Sequence, residues 1–399
     1  MKIIVLLLLG SILVFGADVV EVGEKFKNST KCKACHIHLV KDWQQSWHSK
    51  SHYKRDEYFK ATVDYVTRKT RRSVNSVKVG CAKCHNPRIS VTNVNEMYDV
   101  AAVLNLDIKP EVKKATESDI LSEGINCVVC HNIDEIHSDK NKYGIDRITW
   151  TQAGLMSGPY NNTASPYHKV EYRDFMEKNS DRICLICHSS DKAVKGLVFA
   201  NMQKEYKKDK KGRKNQKGCV NCHMGEKKMG IAATLRIDNG QPRRREIRSH
   251  KFAGGHMEQM WRDALNLKVF KRGRFIAVSI LNPQPHNIPS GFGSRELILE
   301  VAYKNGFKTI DTKSISLTTH YKSKWGKPTI AHLAVKSTKD LSIPAYGKKV
   351  FNFKKNPKAS GVEVKLYYRL VNDEVRSILK LKDKIWSKKM LIASKRLVF

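Results

Sequence analysis

The sequence predicts a multidomain α + β chain, in which a mainly helical and irregular part is followed by an all-β immunoglobulin-like sandwich. Two observations separate these parts. All ten cysteines of the 399-residue chain lie before residue 225. From about Lys268 onward, short segments show strand-like alternation or a bias toward β-branched and aromatic residues. We therefore expect one domain over residues 17–262 and a β-sandwich domain over residues 268–399.

The cysteines form five copies of one spacing: two residues separate the two cysteines, and a histidine follows the second. Two thiols at this spacing can bond to the vinyl groups of a haem, while the histidine binds the iron as its proximal ligand. For one isolated copy, a zinc site or a disulfide pair is the alternative. Five copies without a spare cysteine predict a pentahaem c-type cytochrome domain with five covalently bound haems.

The residues of the five attachment sites follow directly from this spacing. The haem-binding cysteines are Cys32, Cys35, Cys81, Cys84, Cys127, Cys130, Cys184, Cys187, Cys219 and Cys222. The proximal iron ligands are His36, His85, His131, His188 and His223. These sites give one haem for about 46 residues, so the porphyrins supply much of the buried surface, and we expect helices and loops with few strands around them.

Ten further histidines compete for the distal side of the five irons. His48 follows Trp43 on a predicted helix, with His52 one turn further on the same face. The imidazole chemistry of haem iron and the local spacing favour five of the ten as distal ligands. These are His48, His137, His168, His250 and His286. For the fifth position, His256 and His52 remain alternatives to His286, and His320 and His332 are interpreted as surface or core residues.

Several segments resemble the cytochrome c-554 family, whose members carry electrons in hydroxylamine oxidation. The similar segments are Trp43-x-x-Ser46-x-His48, Gly124-Ile-Asn-Cys127-x-x-Cys130-His131 with His137 six residues on, Gly158-Pro159 before His168, and Cys219-x-x-Cys222-His223-Met224 followed by His250-x-Phe252-x-Gly254-Gly255-His256. The segment Pro285-His286-x-x-Pro289-x-Gly291 is similar to one that follows the haem region in related chains. The resemblance covers roughly residues 30–260 and implies closely stacked, mostly bis-histidine haems. The fifth motif and the C-terminal extension depart from the family pattern.

The second part of the chain contains seven predicted strands, separated by turn residues such as Asn305-Gly306 and Asn356-Pro357. The predicted strands are Phe275–Leu281, Leu297–Tyr303, Ile315–Thr319, Ile330–Val335, Val350–Phe353, Val362–Leu370 and Met390–Val398. Seven short strands in about 130 residues fit an immunoglobulin-like sandwich. We interpret Val375–Ser387 as a helical or irregular insertion.

The N-terminus and the charge indicate where the protein works. Met1–Gly16 has a lysine, an apolar run and small residues, which predicts a cleaved signal peptide, with an uncleaved anchor as the alternative. We expect a periplasmic or extracellular protein with no membrane span after cleavage. The formal charge is +36, and about +26 remains after the carboxylates of five haems are counted. This charge favours acidic or quinol-linked redox partners, and export makes nucleic acid an unsuitable partner.

Three functions agree with these features. The first is electron transfer in an anaerobic or nitrogen/sulfur respiratory chain, with histidine on both sides of most irons closing them to substrate. The second is an enzyme that oxidises or reduces hydroxylamine, nitrite or a sulfur oxyanion at one open haem. The sequence contains no Cys-x-x-Cys-Lys motif and no cysteine outside the five motifs, and both absences argue against this enzyme. The third is a subunit of an extracellular cytochrome polymer, since surplus histidines permit an oligomer.

Overall fold

A computed structural model describes residues 28–88, 94, 96–104, 106, 109–139, 142–152, 154–189, 191–193, 196–210, 218–235, 237–238 and 240–399. The predicted signal peptide lies outside these residues. Two compact units divide the chain, and both are discontinuous: residues 1–35 join 48–173, and residues 36–47 join 174–399. The predicted domain division at 262–268 stays a prediction. Within the described ranges, no helix has both the length and the apolarity to cross a membrane.

Short helices build most of the first unit. They are α1 (Ser29–Lys33), α3 (Glu57–Thr70), α4 (Val74–His85), α5 (Glu96–Val103), α6 (Pro110–Glu117) and α7 (Cys127–His131). Asp56 begins α3 by accepting a hydrogen bond from the Phe59 amide, and Arg71 ends it in the left-handed region. Ser73 caps α4 in the same way as Asp56 caps α3. Buried residues of α4 pack on α6, so the second haem motif lies on a well-packed helix.

The second unit contains the remaining helices. They are α2 (Ile37–Gln45), α8 (Asp174–Glu177), α9 (Asp181–Cys187), α10 (Met202–Lys210), α11 (Cys219–His223) and α12 (Asp373–Leu379). α12 and a 3-10 turn at Lys384–Trp386 confirm the helical insertion predicted between Val375 and Ser387.

The haem-motif region contains more strands than we predicted. Four strands belong to the first unit: β1 (Ile133–Ile136), β2 (Ile148–Trp150), β3 (Leu155–Gly158) and β4 (Lys169–Tyr172). Six belong to the second: β5 (Asp191–Lys192), β6 (Val198–Ala200), β7 (Lys228–Ile231), β8 (Ile237–Asp238), β9 (Gln241–Pro242) and β10 (Arg244–Ile247). Each pairs with one partner only, and β3 with β4 is a parallel pair. The prediction of few strands is therefore wrong, because two-stranded ribbons this short carry no periodic pattern.

Longer antiparallel strands form the C-terminal part. They are β11 (Asn266–Arg272), β12 (Phe275–Leu281), β13 (Glu296–Asn305), β14 (Lys308–Leu317), β15 (Tyr321–Lys322), β16 (Pro328–Thr329), β17 (Lys336–Ser337), β18 (Lys348–Lys354), β19 (Gly361–Arg369) and β20 (Met390–Val398). The sheets have the orders β11-β12-β18, β14-β13-β19-β20 and β16-β15-β17. The chain is thus mixed α and β, as predicted, and the immunoglobulin-like pairing stays a prediction.

Burial follows the alternation that predicted these strands. In β19, Val364, Leu366 and Tyr368 are fully buried, whereas Lys365 and Tyr367 between them are half-buried. Six of the seven predicted strands overlap observed ones. The strand predicted at Ile330–Val335 is wrong: residues Ala331–Leu333 form a 3-10 turn there.

A buried ion pair joins the two central strands of the four-stranded sheet. Arg369 of β19 lies directly opposite Glu296 of β13, and its guanidinium donates to the carboxylate at 2.5 and 2.8 Å. Asp373 and Ser316 complete the cluster. Glu296 is therefore fully engaged by Arg369 and Ser316.

Candidate haem sites

The second to fifth haem motifs lie at the end of a short helix or form one completely, whereas the first begins in α1 and continues to His36, just before α2. α7 and α11 each run from the first cysteine of a motif to its histidine. In a helix, residues three and four apart share one face, so both thiols and the imidazole point to the same side. The ten cysteines form no disulfide bonds. No cluster of three or more histidine, cysteine or acidic residues able to hold a bare metal ion occurs in the described ranges.

Four of the five histidines predicted as proximal ligands are oriented by hydrogen bonds at Nδ1. A backbone carbonyl accepts from three of them, and a serine hydroxyl pairs with a fourth. The pairs are His36 with Ala232 (2.7 Å), His131 with Ser157 (2.9 Å), His223 with Ala253 (2.5 Å) and His85 with the Ser51 hydroxyl (3.0 Å). A carbonyl only accepts, so Nδ1 carries the proton and Nε2 keeps the lone pair that binds a metal. This is the tautomer that a haem ligand needs.

His188 follows α9 directly, as its C-cap residue. Burial lowers the pKa of His188 to about 4, with smaller contributions from the charges of Arg295 and His223. Burial also raises the pKa of the Cys81 and Cys130 thiols to about 12. The neutral forms of these motif side chains are therefore favoured.

His223 and His286 have the geometry of an axial ligand pair. Their ring centroids are 6.4 Å apart and the ring planes differ by 24°. Metal–imidazole bonds of about 2 Å on both sides of one iron place the two centroids about 6 Å apart. Nδ1 of His286 donates to the carbonyl of Asn287 at 2.9 Å, which leaves Nε2 as the ligand nitrogen. Burial lowers the pKa of His286 to about 4, so the ring is neutral.

The loop that carries His286 is held from two sides. Glu205 of α10 accepts hydrogen bonds from the Asn287 amide at 3.0 Å and the Ser290 hydroxyl at 2.6 Å. Burial raises the pKa of Glu205. On the other side, Ile288 and Ile343 exchange two backbone hydrogen bonds. These contacts fix the position of His286 independently of its ring.

His48 lies beside the third motif, but not on the helix we predicted. α2 ends at Gln45, where Ser46 donates to the Trp43 carbonyl, and His48 begins a separate 3-10 turn. The His48 carbonyl accepts from the Ile125 amide at 3.0 Å. Gly124 has a φ of +62°, and a Cβ there would lie 2.5 Å from the same carbonyl oxygen. Glycine at this position therefore allows the His48 turn to approach the third motif.

Glu123 connects residues near the first three motifs. Its carboxylate accepts from the Ser29 amide at 2.9 and 3.1 Å and from the Asn126 side chain at 2.9 Å. The buried guanidinium of Arg88, three residues after His85, lies 4.0 Å away. Burial lowers the pKa of Arg88 to about 10, and Glu123 opposes this shift.

Thiols from different motifs also meet. Cys32 and Cys127 share a hydrogen bond, which lowers the pKa of Cys127 and raises that of Cys32. In the second unit, a hydrogen bond to Cys184 raises the pKa of Cys219. The first and third attachment sites are therefore neighbours, and so are the fourth and fifth.

The other histidines considered as distal ligands differ in which ring nitrogen their hydrogen bonds leave available for a metal. Nδ1 of His250 donates to the Arg248 carbonyl at 3.1 Å, which leaves Nε2 as its ligand nitrogen. His168 has a weaker contact of this kind at 3.3 Å. In His137, Nε2 itself contacts the Thr149 hydroxyl. His52 accepts from the Lys54 amide at Nδ1, so its proton is on Nε2, the opposite of a ligand tautomer. All these assignments stay predictions.

The segment after the fifth motif is anchored by α2 and its following turn. Asp42 accepts from the Ser249 hydroxyl at 2.7 Å and from the His250 amide at 3.2 Å. Trp47 contacts the ring of His256 at 5.0 Å and that of Trp386 at 5.6 Å. His256 is thus packed among aromatic rings of the second unit.

Sequence reasoning did not identify Glu123, Glu205 or Arg295. No motif or period marks them. Their partners are far away in sequence, for example 94 residues between Glu123 and Ser29. Only a half-buried charge near a haem motif distinguishes them from other charged residues, and burial is known only once the chain is folded.

The fold and the five attachment sites fit the class of multihaem c-type cytochromes. Among solved structures, the chain is similar to a penta-haem cytochrome c552 from Thermochromatium tepidum, with a TM-score of 0.67 and 19% sequence identity. The similarity covers 93% of this chain and 98% of that one. At this identity the likeness concerns the fold. No protein-family model and no curated protein matches the chain. Membership of the cytochrome c-554 family stays a prediction.

Proposed function

We propose that this protein is a pentahaem c-type cytochrome that transfers electrons, with two histidines on most irons. The observation that carries the proposal is the pair His223 and His286, whose ring centroids are 6.4 Å apart, whose ring planes differ by 24°, and whose Nδ1 atoms are both bound to carbonyls. Two neutral imidazoles at this spacing bind one iron and leave it no open position. Such a site accepts and gives electrons without binding substrate.

The residues fit the haem group. The ten motif cysteines would hold five porphyrins, and the five motif histidines would be the proximal ligands. We propose the predicted set of five distal ligands, with His286 opposite His223. When bound, haem supplies a one-electron couple between two iron oxidation states. The chain orients the imidazoles through Nδ1 and encloses the sites, which sets how strongly each oxidation state is favoured.

Contacts between attachment sites support transfer from one group to the next. The Cys32–Cys127 and Cys184–Cys219 contacts bring four of the five attachment sites together in two pairs. The helices that carry these thiols contact each other, α1 with α7 and α9 with α11, so groups attached there would be close neighbours. A single-site enzyme does not require this arrangement, whereas electron conduction through a chain does.

We further propose export and an acidic or quinol-linked partner in a respiratory chain. The signal-like N-terminus supports export. The basic segment Arg68–Arg72 includes the end of α3, and four of its residues are exposed. Arg243–Arg248 includes β10, where Arg244 is exposed. The third basic segment, Lys204–Lys217, extends beyond the described residues. Exposed basic groups attract acidic surfaces over a range set by ionic strength.

Spectroscopy of the purified holoprotein tests this function. Intact mass should show five haem additions, and the oxidised and reduced spectra should show low-spin iron throughout. Carbon monoxide should leave the reduced spectrum unchanged. A high-spin signal equal to one haem, with carbon monoxide binding, would instead support the enzyme that acts on hydroxylamine, nitrite or a sulfur oxyanion. Filaments in electron micrographs would support the polymer.

A further inference from the structure

Arg295 is a half-buried cation that forms no salt bridge with an acidic residue in the described part of the chain. Its Nη1 donates to the Ser290 carbonyl at 2.7 Å, and its Nε is buried with no hydrogen-bond partner among the described residues. The adjacent acid, Glu296, is already occupied by Arg369. A buried N–H group without an acceptor is unfavourable, so an acceptor beside the Nε atom would stabilise this side chain.

Tyr368 is a second donor in the same position. The side chain is fully buried in β19, its ring stacks on Trp261 at 3.5 Å, and its hydroxyl has no partner in the described part of the chain. Tyr368 lies opposite Leu297 in the pairing of β13 with β19, and Arg295 is two residues before Leu297, so Arg295 and Tyr368 are diagonal neighbours across the two strands. A missing group with two acceptor oxygens would satisfy both donors.

Both donors lie beside segments that position the fifth-motif histidine and His286. Arg295 donates to the carbonyl of Ser290, in the loop that carries His286. A Cβ on Gly255 would lie 2.6 Å from the Tyr368 hydroxyl. Gly255 is two residues after Ala253, whose carbonyl orients His223. The unsatisfied donors are therefore located around the axial pair.

We propose that Arg295 and Tyr368 bind a carboxylate of the haem attached at Cys219 and Cys222. This inference rests on the proposed function, since it requires a haem at the fifth motif. A haem carries two carboxylates, and the guanidinium and the phenol match one of them in charge and in donor number. Arg295 is then a positioning residue: it neutralises the carboxylate and so favours the reduced iron.

A free anion fits this position less well. Arg295 also borders a cavity of about 210 Å³, whose wall includes Glu205 and Asp340. The carboxylates of Glu205 and Asp340 disfavour any anion here, and an anion that arrives from solution would also lose its freedom of movement on binding. A carboxylate fixed to the bound haem loses little freedom on binding, so it is the better partner for these donors.

The test uses holoprotein whose five haems are verified by intact mass. Arg295→Gln should lower one of the five reduction potentials by about 59 mV. For one electron, this shift corresponds to about a tenfold change in the ratio of oxidised to reduced iron. The variant should also shift the carboxylate-bending band of one haem in the resonance Raman spectrum. Arg295→Lys keeps the charge and should recover most of the potential. Tyr368→Phe should give a smaller shift in the same direction.

Arg274→Gln is the matched control, because Arg274 is exposed on a turn of the same unit and its loss removes the same charge. At all five haems, this control should leave the ratio of oxidised to reduced iron within about twofold of the wild-type value. If Arg295→Gln binds five haems and has the same five reduction potentials as Arg274→Gln, the inference is overturned and the proposed function remains intact. Wild-type protein without haem would overturn both. A saturable shift with nitrite, sulfite or phosphate that Arg295→Gln abolishes would also overturn it, in favour of a free-anion site.

Discussion

Replacing His286 by alanine should open one iron and leave the other four closed. The 6.4 Å between the His223 and His286 centroids leaves space for one metal ion bound by both rings. Removing one imidazole takes away one of its two axial ligands. One of five irons should become high-spin, so about one-fifth of the low-spin intensity should disappear, and each protein should bind one carbon monoxide. Electron paramagnetic resonance and a carbon monoxide titration measure these changes.

The variant should fold, since its loop is held by backbone bonds between Ile288 and Ile343 and by Glu205 rather than by the imidazole. His286→Met should keep that iron six-coordinate and raise its reduction potential. His320→Ala is the control, because His320 is half-exposed and pairs with Glu374. If His286→Ala retains five low-spin irons and binds no carbon monoxide, the axial pairing is refuted.

Three further predictions concern stability, measured as the unfolding free energy of the holoprotein in guanidinium. Gly124→Ala should cost at least about 2 kcal/mol, because of its positive φ and the 2.5 Å approach to a backbone oxygen. Glu123→Gln should cost about 1–3 kcal/mol by weakening three hydrogen bonds and a buried pair. Asp373 accepts hydrogen bonds from Arg376 and Arg369, which lower the pKa of its carboxyl from the ordinary value of 3.8. The stability it contributes is present above pH 3.8 and is lost as pH falls through the lower folded pKa, and Asp373→Asn should remove that part of the acid dependence.

Each of these predictions has a control or a contrary outcome. Gly80 lies within helix α4, and a Cβ there would meet no atom within 4 Å, so Gly80→Ala should be neutral or slightly stabilising. Equal effects at Gly124 and Gly80 would contradict the close approach at Gly124. An unchanged unfolding free energy for Glu123→Gln would show that the hydrogen bonds of Glu123 make no net contribution to stability. For Asp373→Asn, an acid dependence identical to wild type would disprove the pairing.

The parts of the structure that the sequence predicted are those decided locally. A cysteine–histidine spacing is fixed by the covalent chemistry of haem, and it needs no knowledge of the fold. β12 was predicted with its observed limits, Phe275–Leu281, because apolar and β-branched residues between turn signals mark a strand.

The parts that were not predicted depend on distant partners. The helix expected through His48 ends at Gln45 because Ser46 returns its hydroxyl to the Trp43 carbonyl, which competes with the next helical turn. At Ile330–Val335, a β-like composition forms a 3-10 turn whose neighbours pack beneath Phe199, more than 130 residues earlier. Among the described residues, Arg295 keeps an unpaired donor because its neighbour Glu296 already binds Arg369, 73 residues later in the chain. No local sequence pattern reveals that pairing.

Residues 36–47 impose an order on biosynthesis. This stretch belongs to the same compact unit as residues 174–399, and Asp42 bonds to Ser249 across 207 positions of the chain. The anchor therefore leaves the ribosome long before its partner exists, and that contact can close only late, after most haem-bearing segments have been made. A fragment beginning at Asp174 would lack the anchor for its His250 segment. Expression trials of the C-terminal half should therefore carry the early stretch along, for example by circular permutation.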